Sequence, residues 1–354
     1  MILSAIGRPE RGTGVPAAFG LAAGMIGVLV VLLALGGFDV GTAMGALVRG
    51  AAGSFPVFAS STLVRATPLI LTGLAVSLAF RGGVFNIGAD GQLLAGAAAA
   101  CAVALALGSA PGPLTPVLVL LSSAVGGLIA AAIPAWLRLR FGVLEVISTI
   151  MMNFLSLYAI GYLVRGPLQE PTRIYPQSSS IDAAARLPFL IPGTRLHAGF
   201  VIALVTALVI WWFLRFTSAG FRVRVIGANP HAAAVAGGVN TARGSTMIFL
   251  ASGALAGCAG GVELSGVTFA LYENLSPGYG FTAIAVALLA GLNPLGVILS
   301  AIFLGGLAAG AASMQREAGV PSVLVSVIEA LIILSIIAAR AVLARSGRAR
   351  TTAR

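Results

Sequence analysis

Apolar runs recur along the chain near residues 17–37, 63–80, 92–108, 114–136, 143–164, 198–216, 246–269, 279–292, 295–313 and 320–343. Crossing a hydrocarbon core takes roughly 20 mostly apolar residues, and most of these runs approach that length with few or no charges. The pattern predicts an all-α fold, a polytopic membrane bundle of about ten transmembrane helices forming one transmembrane domain over residues 1–354. The first run follows Arg8 and Arg11, is longer than the apolar core of a signal peptide and is followed by no clear cleavage site, so a retained span is expected.

Polar punctuation orients the spans. With residues 1–16 in the cytoplasm, alternate loops hold Arg81, then Arg138 and Arg140, then Arg215, Arg222, Arg224 and Arg243, and finally the basic tail at 344–354 following Arg340. Cytoplasmic loops are enriched in basic residues, so both termini are expected inside. The opposite loops carry Glu273, the neighbours Arg316 and Glu317, and a long proline-containing extracytoplasmic segment at 165–197. Arg49 and Arg65 break the pattern, and 39–62 reads as an amphipathic or re-entrant element without a fixed place.

Composition sharpens this picture: 58% of the residues are hydrophobic and 9% charged, against roughly 25% charged in soluble domains. Mean hydropathy is +1.04. The 46 glycines, many inside the apolar runs, suit helices that approach backbone to backbone in lipid. Cys101 and Cys258 both lie in apolar runs and read as small buried residues, offering neither a disulfide framework nor a metal site. The net charge of +11 is that of basic loops flanking spans. No basic stripe with interleaved aromatics points to nucleic acid.

Between two apolar runs lies "GFRVRVIGANPHAAAVAGGVNT" at 220–241, inside an inner loop at 220–245. Asn229 followed by Pro230 reads as a helix start: the Asn side chain accepts from orphan N–H groups, and Pro at the first position lacks a donor that would be unpaired anyway. Ala232, Ala233, Ala234 and Ala236 propagate the turn, and Gly237 with Gly238 ends it. About two turns are too few to be stable alone, so this helix is expected to dock on something.

The spacing HAAAVAG at His231–Gly237 resembles the Glu-Ala-Ala motif of ABC importer permeases, with His231 standing where Glu is usual. The strings FRGGVFNIGADGQLLAGA at 80–97, EVISTIMMNFLSLYAIGYLV at 145–164 and the block at 227–266 resemble signatures of the branched-chain and simple-sugar type of ABC permease. More narrowly, they are similar to nucleoside or simple-sugar permeases that work with a basic-membrane-protein type lipoprotein. Asp90 stands where that family commonly has Glu. The resemblance implies a bacterial inner-membrane permease subunit with three partners. They are a cytosolic ATPase docking on Asn229, Pro230, His231, Ala232, Ala233, Ala234 and Gly237, a second permease chain that favours a heterodimer, and an extracytoplasmic lipoprotein contacting 165–197.

Energy has two possible sources. The chain contains no lysine, so it cannot hold a phosphate-loop GxxxxGK[ST] motif, and nucleotide hydrolysis is expected from a partner. The rival class is an ion-coupled secondary transporter of a small polar solute, which would use buried carboxylates such as Glu145, Glu263 or Glu329. A channel or scaffold would need neither a docking helix nor broken spans. His197 and His231 fall in loops on opposite faces, so no catalytic triad is expected, and neither is a cofactor or metal.

NIGADGQ at 86–92 places polar groups and glycines between two apolar runs, where irregular backbone is tolerated only against protein or a water-filled cavity. AVALLAGLNPLG at 285–296 weakly echoes AVSLAFRGGVFNIG at 75–88, as a duplicated half would. Candidate substrate-pathway residues are Asn86, Gln92, Thr149, Asn153 and Glu263. An amide in the middle of an apolar span, such as Asn153, must hydrogen-bond something, whether a solute or a neighbouring helix.

Overall fold

The computed structural model describes residues 27, 30–108, 112, 114–238, 240–321, 323, 324, 327, 330, 331 and 334. The expected segments 1–16 and 344–354, most of the first run, Glu329 and the end of the last run lie outside the described residues. Every named element among the described residues is a helix, and extended pairing is limited to three isolated bridges.

After a helical stretch at 30–35, the helices are α1 (Val40–Ala52), α2 (Phe55–Arg81), α3 (Ala89–Leu107), α4 (Thr115–Phe141), α5 (Glu145–Arg165) and α6 (Gly199–Phe216). They continue with α7 (Ser218–Ala228), α8 (Pro230–Gly237), α9 (Thr241–Thr268), α10 (Tyr279–Leu289) and α11 (Pro294–Glu317). Seven of them, α2 to α6, α9 and α11, are long and apolar enough to cross a membrane, and α10 is a shorter apolar helix. These eight coincide with the eight apolar runs between residues 63 and 313. The chain is a multi-pass membrane protein.

Contacts divide the chain into two compact units, residues 1–65 with 302–354 and residues 66–301. In the first, α1 starts at Asp39, whose carboxylate caps the Thr42 N–H, and packs on the end of α11, with Gly50 against Ser313 and Gly310 against Leu47. The guanidinium of Arg49, exceptional for its sequence position, donates to Glu317 Oε2 from Nη2 at 2.7 Å and from Nε at 3.2 Å. Residues 39–62 thus form α1 and the start of α2, which passes through a π-turn at Phe58–Leu63.

The second unit is built on the mutual contact of α3, α4 and α9. A Cβ on Gly257 would strike the Ser123 carbonyl and the Gly127 backbone of α4, and one on Gly96 of α3 would strike Gly257 itself. Glycines at this crossing let three backbones touch, and dispersion between close-packed atoms replaces the hydrophobic drive that lipid does not supply. The outward faces of α4 and α6 expose Leu121, Ile129, Leu208 and Trp212, as lipid-facing surface requires.

The α7 helix is a difference from sequence expectation, which placed helix only at α8. Thr217 caps it by accepting from the Gly220 N–H at 3.0 Å, and its buried residues Gly220, Val223 and Ile226 recur at three-residue spacing on one face. The basic residues of this stretch ride on a helix with one buried edge.

The segment 166–198 is stitched to the chain that leaves α9. Ser178, Ile181 and Leu187 donate their N–H groups to the carbonyls of Leu271, Phe269 and Ser265, each at 2.8 Å, so the two segments run antiparallel. The Arg186 guanidinium covers the Phe269 ring at 4.7 Å and donates to the Ile181 carbonyl. Exposed Glu170 accepts from Gln177 Nε2 at 2.9 Å and Thr172 Oγ1 at 2.8 Å, which holds its carboxyl below the usual range. His197 is fully buried against Gly199 and Gly266; its Nδ1 accepts from the Gly199 N–H at 3.2 Å. Burial, and secondarily nearby Arg195, lower its pKa to about 4.

Two outcomes follow for the folded protein. Gly257→Val should wedge apart the α3, α4 and α9 crossing at a cost of roughly 3 kcal/mol or more, read as a loss of monodisperse protein in detergent. The unfolded chain takes up the His197 proton near pH 6.5 and the folded chain only near 4. Stability carried by neutral His197 is therefore complete above about pH 6.5 and falls as pH drops towards 4, which thermal melts between pH 7.5 and 4.5 should record and a His197→Gln variant should flatten.

Candidate functional site: the interior helix break

The helix α2 ends where Gly83, at φ +74°, lets the Val84 N–H reach the Ala79 carbonyl across the last turn. The chain then runs without helix from Val84 to Gly88 along α5. The Phe85 N–H donates to Glu145 Oε1 at 3.0 Å at the start of α5, and Asn153 Nδ2 donates to the Ile87 carbonyl at 2.9 Å eight residues further on. Eight residues of helix rise about 12 Å, so α3 begins well inside the length of α5 rather than at its end.

A second segment reaches the same level from the opposite end of α5. Both carboxylate oxygens of Glu273 accept from Arg165, one of them from Nη2 at 2.9 Å. The chain then runs back until Ser276 Oγ donates to Asp90 Oδ1 at 2.7 Å and the Gly280 N–H donates to the same oxygen at 2.9 Å. Gly280 is in the first turn of α10 and Asp90 in that of α3. A Cβ on Gly280 would collide with the Asp90 backbone, so the two starts meet face to face. One carboxylate thereby answers the partial positive charge of two helix N-termini.

From this junction α3 runs towards Ser178, which meets Cys101 at 3.3 Å, while α10 runs towards the last turns of α2, sharing a core of Ala75, Val76, Ala79, Ala283 and Ala287. The faint repeat between 75–88 and 285–296 has a structural counterpart. At the end of α10 the Leu292 N–H reaches the Ala287 carbonyl past Gly291 at φ +61°, as Val84 does past Gly83.

The five predicted pathway residues are all buried. Two of them, Asn86 and Gln92, share one network at the break, and Asn153 holds the backbone beside it. Asn86 Nδ2 donates to Gln92 Oε1 and to Ser252 Oγ, each at 2.8 Å; Gln92 Nε2 donates back to Asn86 Oδ1 at 3.1 Å; and that oxygen also accepts from the Gly88 N–H at 3.0 Å. Ser252 Oγ in turn donates to the Ala75 carbonyl at 2.7 Å. Asn153 Oδ1 accepts from the Gly91 N–H at 2.8 Å, so this amide binds the backbone on both sides of the break. Thr149 packs against Gly88 but donates back to the Glu145 carbonyl of its own helix at 2.7 Å.

Glu263 stands apart, eleven residues beyond Ser252, or about 16 Å along α9, just before a π-turn at Leu264–Thr268. Burial, and secondarily the Glu263 carboxylate, push the Tyr272 phenol up. Sequence reading did not single out Ser252, Ser276 or Gly280. A serine in the apolar run at 246–269 carried the same signal as Asn153, whereas nothing local marked Ser276 or Gly280 as partners of Asp90.

The predicted helix at 230–237 is present. Asn229 Oδ1 accepts from the Ala232 N–H at 3.0 Å, Pro230 is the first residue, and Gly238 at φ +56° closes it by donating to the Ala233 carbonyl. Pro230, His231, Ala232 and Ala234 are exposed, Val235 is 74% exposed, and Ala233 is buried. Its neighbour α7 reaches the break, since Gly227 lies against the Arg81 carbonyl and against Gly83, and Ile248 of α9 packs on Gly82.

A multi-pass helical bundle whose interior helices start from a satisfied polar junction has the architecture of a membrane permease. The family of branched-chain amino acid transport system permease components matches residues 58–337, and the chain belongs to that family. It is 39% identical over 330 residues to the guanosine ABC transporter permease protein NupP of Bacillus subtilis, covering 91% of each chain. It is also 39% identical over 288 residues to the glucose ABC transporter permease protein TsgB13 of Haloferax volcanii, covering 78% of this chain and 75% of that one. A second Bacillus subtilis protein, the guanosine ABC transporter permease protein NupQ, is 29% identical over 257 residues, covering 70% of this chain and 80% of its own.

The network predicts unequal sensitivity. Asn86→Leu leaves the Gln92 amide, Ser252 and the Gly88 N–H short of partners in a dry interior, at roughly 1–3 kcal/mol for each group, and should lower the melting temperature of the purified protein markedly. Thr149→Val loses only a bond to its own helix and should melt close to wild type.

Proposed function

We propose that this chain is the permease subunit of an ATP-binding-cassette importer, forming the transmembrane pathway for a nucleoside, with a cytosolic ATPase supplying the energy. The observation that carries the reading is α8, a capped two-turn helix between two spans that presents Pro230, His231, Ala232, Ala234 and Val235 outwards. So short a helix, which buries Ala233 and leaves Pro230, His231, Ala232, Ala234 and Val235 exposed, is suited to completing its packing on a partner. The ATPase contacts are assigned to Asn229 as cap, to the exposed residues and to the turn at Gly237, with Ala233 as the inward anchor. Family membership and the likeness to permeases of named ABC transporters support this over ion coupling.

The topology that accompanies this reading has about ten spans, with both termini, 220–245 and the tail 344–354 in the cytoplasm, and 165–197 outside. The alternation of arginine-bearing loops supports it. The lack of lysine supports the absence of a nucleotide site of its own. Two guanosine permease proteins from one organism, both similar to this chain, support pairing with an unlike second permease. The seam between 178–187 and 265–271 gives the outer segment a firm base on which a solute-binding lipoprotein can dock. Nucleoside is preferred to sugar because the relative matching 91% of both chains is a guanosine permease.

Motion at α8 has a physical route inward. It passes through α7 to Gly227, to the turn at Arg81–Gly83, and so to the break that Asn86, Gln92 and Asn153 hold. These amides and Thr149 serve the pathway by keeping its walls in register, and Glu263 stands near its outer half.

Val235→Asp and Ala234→Asp should abolish co-purification of the ATPase while leaving membrane insertion intact. Ala233→Asp would also disturb the permease's own packing and is the poorer probe. Retention of the ATPase by both outward variants, or import by the chain alone without nucleotide, would overturn the assignment.

A further inference from the structure

The outer end of α5 borders a cavity of about 470 Å³ that belongs to neither the break nor α8. Its wall carries Tyr158 and Tyr162, four residues apart on one face of α5 and each more than 70% exposed. Its floor is the Arg165–Glu273 pair with Asn274 beside it. Gly161, between the tyrosines, makes room for that pair: a Cβ there would lie 2.8 Å from Glu273 Oε1 and 3.3 Å from an Arg165 nitrogen.

These groups match one kind of solute. Tyrosine rings offer flat apolar faces with a hydroxyl at the edge, and stacking of a base on an aromatic side chain is worth about 1–3 kcal/mol. The Arg165 side chain is 58% exposed and that of Glu273 33%. Their remaining N–H donors and carboxylate lone pairs can answer hydroxyls and ring N–H groups without a net charge that would hold the solute fast. The volume lies within the range of small-molecule sites. Glu273 also begins the segment that descends to Ser276 and Asp90, so a solute bound here touches the strand that leads to the start of α10.

We propose that this cavity is the site where the permease first receives its solute, a nucleoside whose base stacks on Tyr158 and Tyr162 and whose polar edge is bonded by Arg165, Glu273 and Asn274. The proposal rests on the nucleoside-importer reading above. The bland role for two tyrosines at the end of a span is an aromatic belt at the lipid surface, which requires no solute contact.

Photolabelling separates these possibilities. The assembled importer, free of binding protein, is irradiated with 8-azidoguanosine with and without excess guanosine, the labelled peptides are mapped, and guanosine import by the same preparation is measured with the binding protein added. The expected result is guanosine-protected label within 157–166 or at 273–274, reduced at least tenfold by Tyr158→Leu with Tyr162→Leu and retained in the Tyr158→Phe, Tyr162→Phe pair. Label absent from these peptides while import proceeds would overturn the site and leave the importer reading standing. Unchanged label in the leucine pair would overturn the stacking role. Failure of the wild-type importer to move any nucleoside would overturn the functional reading itself.

Discussion

Backbone hydrogen bonding in a medium without water is the constraint on which this structure depends. A chain that stops being helical between two spans must find partners for each freed N–H and carbonyl inside the protein. Here the partners are side chains fixed to neighbouring helices: Asn153 takes one bond on each side of the break, Asn86 closes on Gln92 and Ser252, and Asp90 accepts the Gly280 N–H in the first turn of α10. These bonds allow α3 and α10 to begin inside the bundle, where a shorter polar inventory would force both helices out to its surface.

Glycine completes the same logic from the packing side. Gly91 lies against Asn153 and Gly280 against Asp90, so backbones also approach closely at the polar junction. The α3, α4 and α9 crossing at Gly96, Gly127 and Gly257 supplies the stiff frame around it. Glycine contacts of this kind leave little free volume, so the frame resists deformation around the polar junction.

Legibility in the sequence followed the range of each interaction. Spans, caps and the α8 helix are set by residues within a few positions of each other, and Asn229, Pro230 and Gly238 act as their types predict. Polar residues in apolar runs announced that something must bond them, and Asn86, Gln92 and Asn153 are bonded, to one another's surroundings. What stayed hidden was long-range pairing. Ser252 meets Asn86 across 166 positions and Gly280 meets Asp90 across 190, and no local pattern specifies which distant partner a serine or glycine will find. The helix α7 was obscured for a different reason: its arginines masked a short repeat of buried positions at Gly220, Val223 and Ile226.

The junction at Asp90 has an electrical consequence. Each helix N-terminus carries roughly half a positive charge and the carboxylate between them about one negative charge, so the joint as a whole is close to neutral. Rearranging it within the bilayer therefore displaces almost no charge across the field, and the transmembrane voltage exerts little force upon it. A shift of the two helix starts against each other would meet the same resistance in an energised membrane as in a depolarised one.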